Sequence, residues 1–200
     1  MKPIFGILIF ILSASAYAAA PAVVVTAVEG KALLNVNGQE TEIQPGAEIP
    51  QGAILKSDEK GSVDISIHGN SGFRFFPGTQ VAFPITAPEK TKLVLENGNL
   101  IARFKTKIEP SATFEVETPT AVLAVRGTQF WGRVVSPGEK PVTSFAVREG
   151  VVKITAKASG QSVTLKKGEA VELPANQAPL LRKAETAELS AIAQSETIKI

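Results

Sequence analysis

The sequence predicts an all-β protein: a sandwich or a short solenoid-like roll of many short strands, with a short C-terminal helix. Three observations carry this. Between residues 23 and 173, short apolar runs alternate with polar residues, the period of a half-buried strand. Glycine-bearing turns separate these runs at roughly ten-residue spacing, as in sandwiches and barrels. No stretch of that region repeats with a helical period.

The N-terminal stretch stands apart from this pattern. Lys2 precedes an uncharged apolar run, residues 4–12 (IFGILIFIL), and small residues follow, in which Ala16-Tyr17-Ala18 fits the small-x-small cleavage rule. The run is far shorter than the ~20 residues that span a bilayer. Residues 1–18 therefore read as a secretory signal peptide, cut after Ala18 or Ala20. The remaining chain is expected to be periplasmic or secreted, with no membrane span. It contains no cysteine, so even in an oxidising compartment its stability must come from its core.

The β region is expected over residues 19–173. Val63-Asp64-Ile65-Ser66-Ile67-His68 alternates cleanly, Gly69-Asn70-Ser71-Gly72 turns, and Phe73-Arg74-Phe75 resumes the alternation. Residues 93–95 (LVL) and 100–104 (LIARF) flank Asn97-Gly98. Asn-Gly suits the positive backbone angles of a type I′ turn, so this is the strongest hairpin signal in the chain. Residues 144–147 (SFAV) and 151–154 (VVKI) flank a further turn, Arg148-Glu149-Gly150. A weak internal repeat accompanies these turns. Glu29-Gly30 opens a unit that reaches residues 45–49 (PGAEI), Glu149-Gly150 opens one that reaches 167–171 (KGEAV), and Asn97-Gly98 lies where a middle copy would start. Such copies suit stacked β-layers sharing one core, although reuse of common turn residues gives the same pattern. Beyond Leu173, residues 174–179 (PANQAP) read as a linker. Residues 180–194 are rich in helix-forming Ala, Glu and Leu and end in a stretch, 195–200, expected to be mobile.

Composition narrows function by exclusion. Without cysteine there is no thiolate metal site, no iron–sulfur cluster and no cysteine nucleophile. Histidine chemistry would have to run through His68 alone, which is expected to be solvated at the lip of a turn, and no G-x-S-x-G motif accompanies it. Nothing in the spacing pairs Asp64 with Glu115. The net charge of +2 is too small for an electrostatic grip on nucleic acid. The chain reads as non-enzymatic, without cofactor or metal.

One segment carries more information. Residues 114–130 (FEVETPTAVLAVRGTQF) contain an F-x-V-x-T-P run followed by V-R-G-T-x-F. Residues 147–152 (VREGVV) come after it, and 61–65 (GSVDI) and Phe76-Pro77-Gly78-Thr79 precede it. Over about residues 27–173 this resembles FecR-type domains. The named member of that family regulates iron-dicitrate transport. It spans the inner membrane, senses a TonB-dependent outer-membrane receptor and controls a sigma factor from a cytoplasmic N-terminus. This chain departs from that layout. A signal peptide stands at its start, and only 27 residues follow Leu173, where the sigma regulators carry a receptor-contacting subdomain. The resemblance implies a stand-alone exported domain that binds an envelope protein or takes part in signalling. A glycan- or peptidoglycan-associated module is the alternative, and a structural envelope protein is a third.

The motif residues also have a physical reading. Thr118-Pro119 is expected to turn a corner, since proline has no N–H for the ladder and the threonine hydroxyl can satisfy backbone left unpaired there. Residues 121–125 (AVLAV) read as a strand buried on both faces. Arg126 then needs a carboxylate or several carbonyls, and Glu149, beside Gly150, is the candidate partner. Gly127 suits an unusual backbone angle. Thr128 resumes a strand leading to Phe130 and Trp131, which point to opposite faces. With Phe130 in the core, Trp131 is the candidate partner contact. Phe73, Phe75, Phe76, Phe83, Phe104, Phe114 and Phe145 are expected in the core, with Phe76 on the face opposite Phe73 and Phe75.

Overall fold

The computed structural model describes residues 22–105, 113–136 and 140–200. The expected signal peptide lies outside the described residues. The chain begins with β1 (Val23–Glu29), β2 (Ala32–Val36), β3 (Gln39–Glu42), β4 (Ile54–Ser57), β5 (Ser62–Ile67) and β6 (Ser71–Phe75). It continues through β7 (Gln80–Ala87), β8 (Lys90–Phe104), β9 (Thr113–Glu117), β10 (Ala121–Val125), β11 (Gln129–Val135) and β12 (Val142–Glu149). After β13 (Val151–Ala156), β14 (Ser162–Lys166), β15 (Glu169–Pro174) and β16 (Leu180–Lys183) come α1 (Thr186–Ala193) and a 3-10 turn, Gln194–Thr197.

The strands form two layers that share β8. Layer one runs β1-β5-β6-β8-β11-β12-β15-β16. Layer two runs β3-β2-β4-β7-β8-β9-β10-β13-β14. Among the described strands β8 and β9 pair in parallel and the other pairs are antiparallel. Phenylalanines join the layers across the core. Phe73 of β6 stacks on Phe114 of β9 with centroids 5.3 Å apart, and Phe75 meets Phe83 of β7 edge-on at 6.3 Å. Phe130 and Phe145 are also fully buried, Phe104 is half-buried against Phe73 and Phe114, and Phe76 is half-buried. The all-β reading holds, as does the short C-terminal helix.

The internal repeat has a structural meaning: the glycines that open its units mark changes of layer. At Gly30 the chain passes from β1 to β2, at Gly150 from β12 to β13, and Gly98 lies inside β8. Residues 90–97 of β8 pair in layer two, and residues 98–104 pair in layer one. Asn97-Gly98 is therefore a strand corner and not a hairpin. A type I′ turn and this corner need the same backbone angle, here φ +96° at Gly98, so the sequence signal is ambiguous between them. The corner is also crowded: a Cβ on Gly98 would lie 2.4 Å from Thr79 Oγ1.

Three further expectations need correction. Residues 121–125 are not buried on both faces: Ala121, Leu123 and Val125 face the core, while Ala124 is exposed. Alanine and valine fit either face, so an apolar run concealed a half-buried strand. Residues 174–179 are not a linker: Pro174 ends β15, residues 175–179 connect it to β16 in an antiparallel hairpin, and the first part of the expected helix is strand. Finally, residues 195–200 are docked, with Ser195 and Ile198 buried.

Candidate functional site

The family-like motif folds into corners held by buried threonines. Thr118 Oγ1 accepts from the Ala121 N–H at 3.0 Å and donates to its carbonyl at 3.2 Å. Thr120 Oγ1 donates to Thr143 Oγ1 at 2.7 Å, and Thr143 Oγ1 donates to Thr118 Oγ1 at 2.9 Å. This chain of hydroxyls spans both layers and leaves Pro119 exposed at the bend. A second threonine clamp recurs after each of two glycines with φ +68°, Gly78 and Gly127. Thr79 lies under Gly98, and Thr128 lies under Gly150, where a Cβ would come within 2.6 Å of its methyl group. Thr79 also brackets Asn99, accepting from its N–H and donating to its carbonyl, both at 3.1 Å. Thr128 is 2% exposed, and its hydroxyl has no hydrogen-bond partner among the described residues.

Arg126 and Glu149 do not pair within 4.0 Å, contrary to expectation, and both are exposed. Arg126 sits on the bend after β10 and points to water, so it needs no carboxylate to compensate burial. Phe130 is fully buried and Trp131 lies on the opposite face, as alternation requires. His68 is half-buried, with Nε2 3.2 Å from Thr91 Oγ1, and its pKa is lowered by burial.

Trp131 leads to a face of the sandwich that carries a groove beside a helix. Register places Asp64, Arg74, Ile101, Trp131, Ala146, Ala170 and Arg182 in one row across the outside of layer one. Helix α1 lies over the apolar middle of this row, where Ile192 and Leu189 meet Trp131, Ala146 and Ala170. Glu188 has two tasks. Its carboxylate accepts the Glu185 N–H at 2.7 Å, forming a capping box that starts the helix. It also holds Arg182 of β16 bidentately, at 2.8 and 2.5 Å. Burial pushes the Glu188 pKa up, but Arg182 and the Glu185 N–H outweigh it and hold the carboxyl below its usual range. At the other end of the row Arg74 grips Asp64 through two bonds of 2.7 Å. Between α1 and the next row lies an open groove of about 590 Å³, lined by Trp131, Arg133, Ser144, Glu172, Arg182 and Glu188. Arg133 is exposed and makes no ion pair among the described residues.

Sequence reasoning named Trp131 and missed the basic residues around it. A signal was present: Arg74 lies between Phe73 and Phe75, Arg103 between Ala102 and Phe104, and Arg148 follows Val147. Each alternates outward from a core strand. Among the described residues no group of three or more His, Asp or Glu is placed to hold a metal ion, and no helix is long and apolar enough to cross a membrane.

No curated protein matches the chain. Two crystal structures of a provisionally assigned anti-sigma factor from Parabacteroides distasonis ATCC 8503 share its fold, each with a TM-score of 0.59. Their sequence identities are 16% and 15%, and each alignment covers 70% of this chain and 64% of the other. The chain thus spans less than two thirds of their length. The family model described as FecR protein matches residues 53–153. That match runs from the strand before β5 through the Thr118 and Thr128 corners to β13, half of the sequence, and on it the chain belongs to the FecR protein family.

Proposed function

We propose that this chain is a non-enzymatic recognition module of the bacterial envelope, exported by residues 1–18, which binds a protein partner and serves regulation. The observation that carries the reading is membership of the FecR family over residues 53–153. The anti-sigma assignment of the structural neighbours supports a regulatory role. The signal-peptide pattern at Lys2, residues 4–12 and Ala16-Tyr17-Ala18 supports export. The contact surface of this reading is the outside of layer one, where the Trp131 groove combines an aromatic wall with exposed charge, the chemistry enriched at protein interfaces.

The test is expression of the full gene with a C-terminal tag, followed by mass measurement, fractionation and affinity capture from envelope extract. The expected result is a protein shortened by 18 or 20 residues and recovered with one stoichiometric protein. An uncut chain retained in the cytoplasm, or capture of nothing specific, would overturn it. A glycan- or peptidoglycan-binding role rests on Trp131 as groove wall. Sedimentation with purified cell-wall material that Trp131→Ala abolishes would move the assignment there.

A further inference from the structure

The outside of layer one is a basic surface that the chain covers with its own acidic end. Arg74, Arg103, Arg148 and Arg182 project from β6, β8, β12 and β16, and Lys105 follows β8. The segment lying on them, residues 184–200, brings Glu185, Glu188 and Glu196. Arg182 holds Glu188, and Arg148 pairs with Glu196. Arg74 reaches Thr197 Oγ1 at 3.4 Å. Arg103 Nη2 donates to the Ile198 carbonyl at 2.7 Å, and Lys105 Nζ donates to the Ile200 oxygen at 2.9 Å.

The cover fits the surface incompletely. Arg103 Nε and Ser195 Oγ are both buried along this seam without hydrogen-bond partners among the described residues. Arg103 hydrogen-bonds a neutral carbonyl and feels the nearby Glu196 carboxylate without bonding it, where its planar fork is suited to the two oxygens of a carboxylate. The apolar anchoring is thin as well: within the segment Ile192 and Ile198 are the fully buried apolar side chains. Ile198 and Ile200 rest on Gly72 of β6, where a Cβ would lie 2.8 Å from each of them. The surface lies largely on strands inside the family-matched region, residues 53–153, and the cover lies outside it.

We propose that the outer face of layer one is a docking surface for an acidic, amphipathic segment of a protein partner, and that residues 184–200 occupy it in cis and are displaced on binding. This rests on the protein-binding reading above and names its surface. A segment held by few apolar anchors over a surface of fixed charge belongs to the part of a protein that opens without global unfolding. A competing segment with better-placed carboxylates gains the full Arg103 fork and the Arg148 partner. While the cover is closed, only the open fraction of molecules is competent, and the apparent affinity falls by that fraction.

The test uses the full processed chain and a loosened form carrying Glu196→Lys and Ile198→Ser, with hydrogen exchange reporting that the cover has opened and that the β-strands remain protected. The probe is a labelled peptide of residues 184–200 (AETAELSAIAQSETIKI), read by fluorescence anisotropy, with a control peptide in which its glutamates are lysines. The loosened chain is expected to bind the acidic peptide at least about tenfold more tightly than the intact chain. Adding Arg103→Gln or Arg148→Gln to the loosened chain should remove the gain, and the lysine peptide should not bind. Equal affinity of intact and loosened chains, or indifference to both arginine changes, would overturn the proposal. So would a cover-exchanged dimer in light scattering, which would make a second copy the occupant. Should an envelope partner be captured equally by the intact, loosened and Arg103→Gln chains, the binding-module reading stands and this surface is removed from it.

Discussion

At Gly98 a single hydrogen atom decides whether the two layers can share a strand. Its φ of +96° is strained for any L-residue, and an added Cβ would press on the Thr79 hydroxyl and, at 2.5 Å, on its Cα. Gly98→Ala is expected to destabilise the fold by roughly 3 kcal/mol, read as a lower urea midpoint at unchanged slope. A loss below about 0.5 kcal/mol would mean that the corner is not strained. Thr128 gives the opposite expectation. Its methyl group packs under Gly150, while its hydroxyl is buried without a partner. Removing an unsatisfied hydroxyl while keeping shape is neutral or favourable, so Thr128→Val should leave stability unchanged or raise it by up to about 1 kcal/mol. Thr143→Val differs because Thr143 links Thr118 and Thr120. It leaves both of those hydroxyls short of a partner and should cost roughly 2 kcal/mol in the same denaturation measurement.

The individual elements were legible in the sequence to differing depths. Alternation placed Phe73, Phe75 and Phe130 inside and Trp131 outside, because a strand reverses its side chain at every residue. Layer changes were not legible. Asn97-Gly98 and Glu149-Gly150 announce a positive backbone angle, and that angle serves a hairpin and a corner alike. The hairpin of β15 and β16 was hidden because Leu180 and Leu181 also suit a helix, and pairing with Glu172 and Val171 decided between the two. The Arg126–Glu149 expectation assumed a buried guanidinium, and exposure removed the need for a partner. Helix α1 depends on a pair separated by six residues, Arg182 and Glu188, that no local rule anticipates. The pair makes α1 sensitive to acid. The Glu188 carboxyl is held below its usual range in the fold, so its contribution is complete above about pH 4.3, where the unfolded carboxyl is also ionised. That contribution is lost as pH falls through the lowered folded value. Arg182 stays charged throughout, with Glu185 and Glu172 also facing it. Amide exchange in residues 186–193, corrected for its intrinsic pH dependence, is expected to accelerate below about pH 4 before the strands do. Glu188→Gln should produce the same loosening at neutral pH, a loss of roughly 1–2 kcal/mol confined to the helix.

At the scale of the molecule, the interleaving of the layers decides what can come apart. The chain changes layer at Gly30, within β8 at Gly98 and at Gly150, and β8 belongs to both layers, so neither has a core without the other. The β-body should therefore unfold as one cooperative unit. The C-terminal cover is different. It adds no strand to either layer and rests on the outside through Ile192, Ile198 and side-chain contacts to arginine. The two isoleucines contribute roughly 2 kcal/mol each, whereas ordering every residue of the segment costs about 1–2 kcal/mol. Its opening should need less free energy than global unfolding. Trp131 is the single tryptophan and lies under α1, which makes its emission a reporter of the cover, while far-UV circular dichroism reports the strands. In a urea titration at neutral pH, the Trp131 emission is expected to shift to longer wavelength before the strand signal falls. Glu196→Lys should move that first transition to still lower urea and leave the second in place. Two coincident transitions in both proteins would show that the cover is part of the cooperative unit, and a segment so bound could not yield its surface to a partner without unfolding the domain.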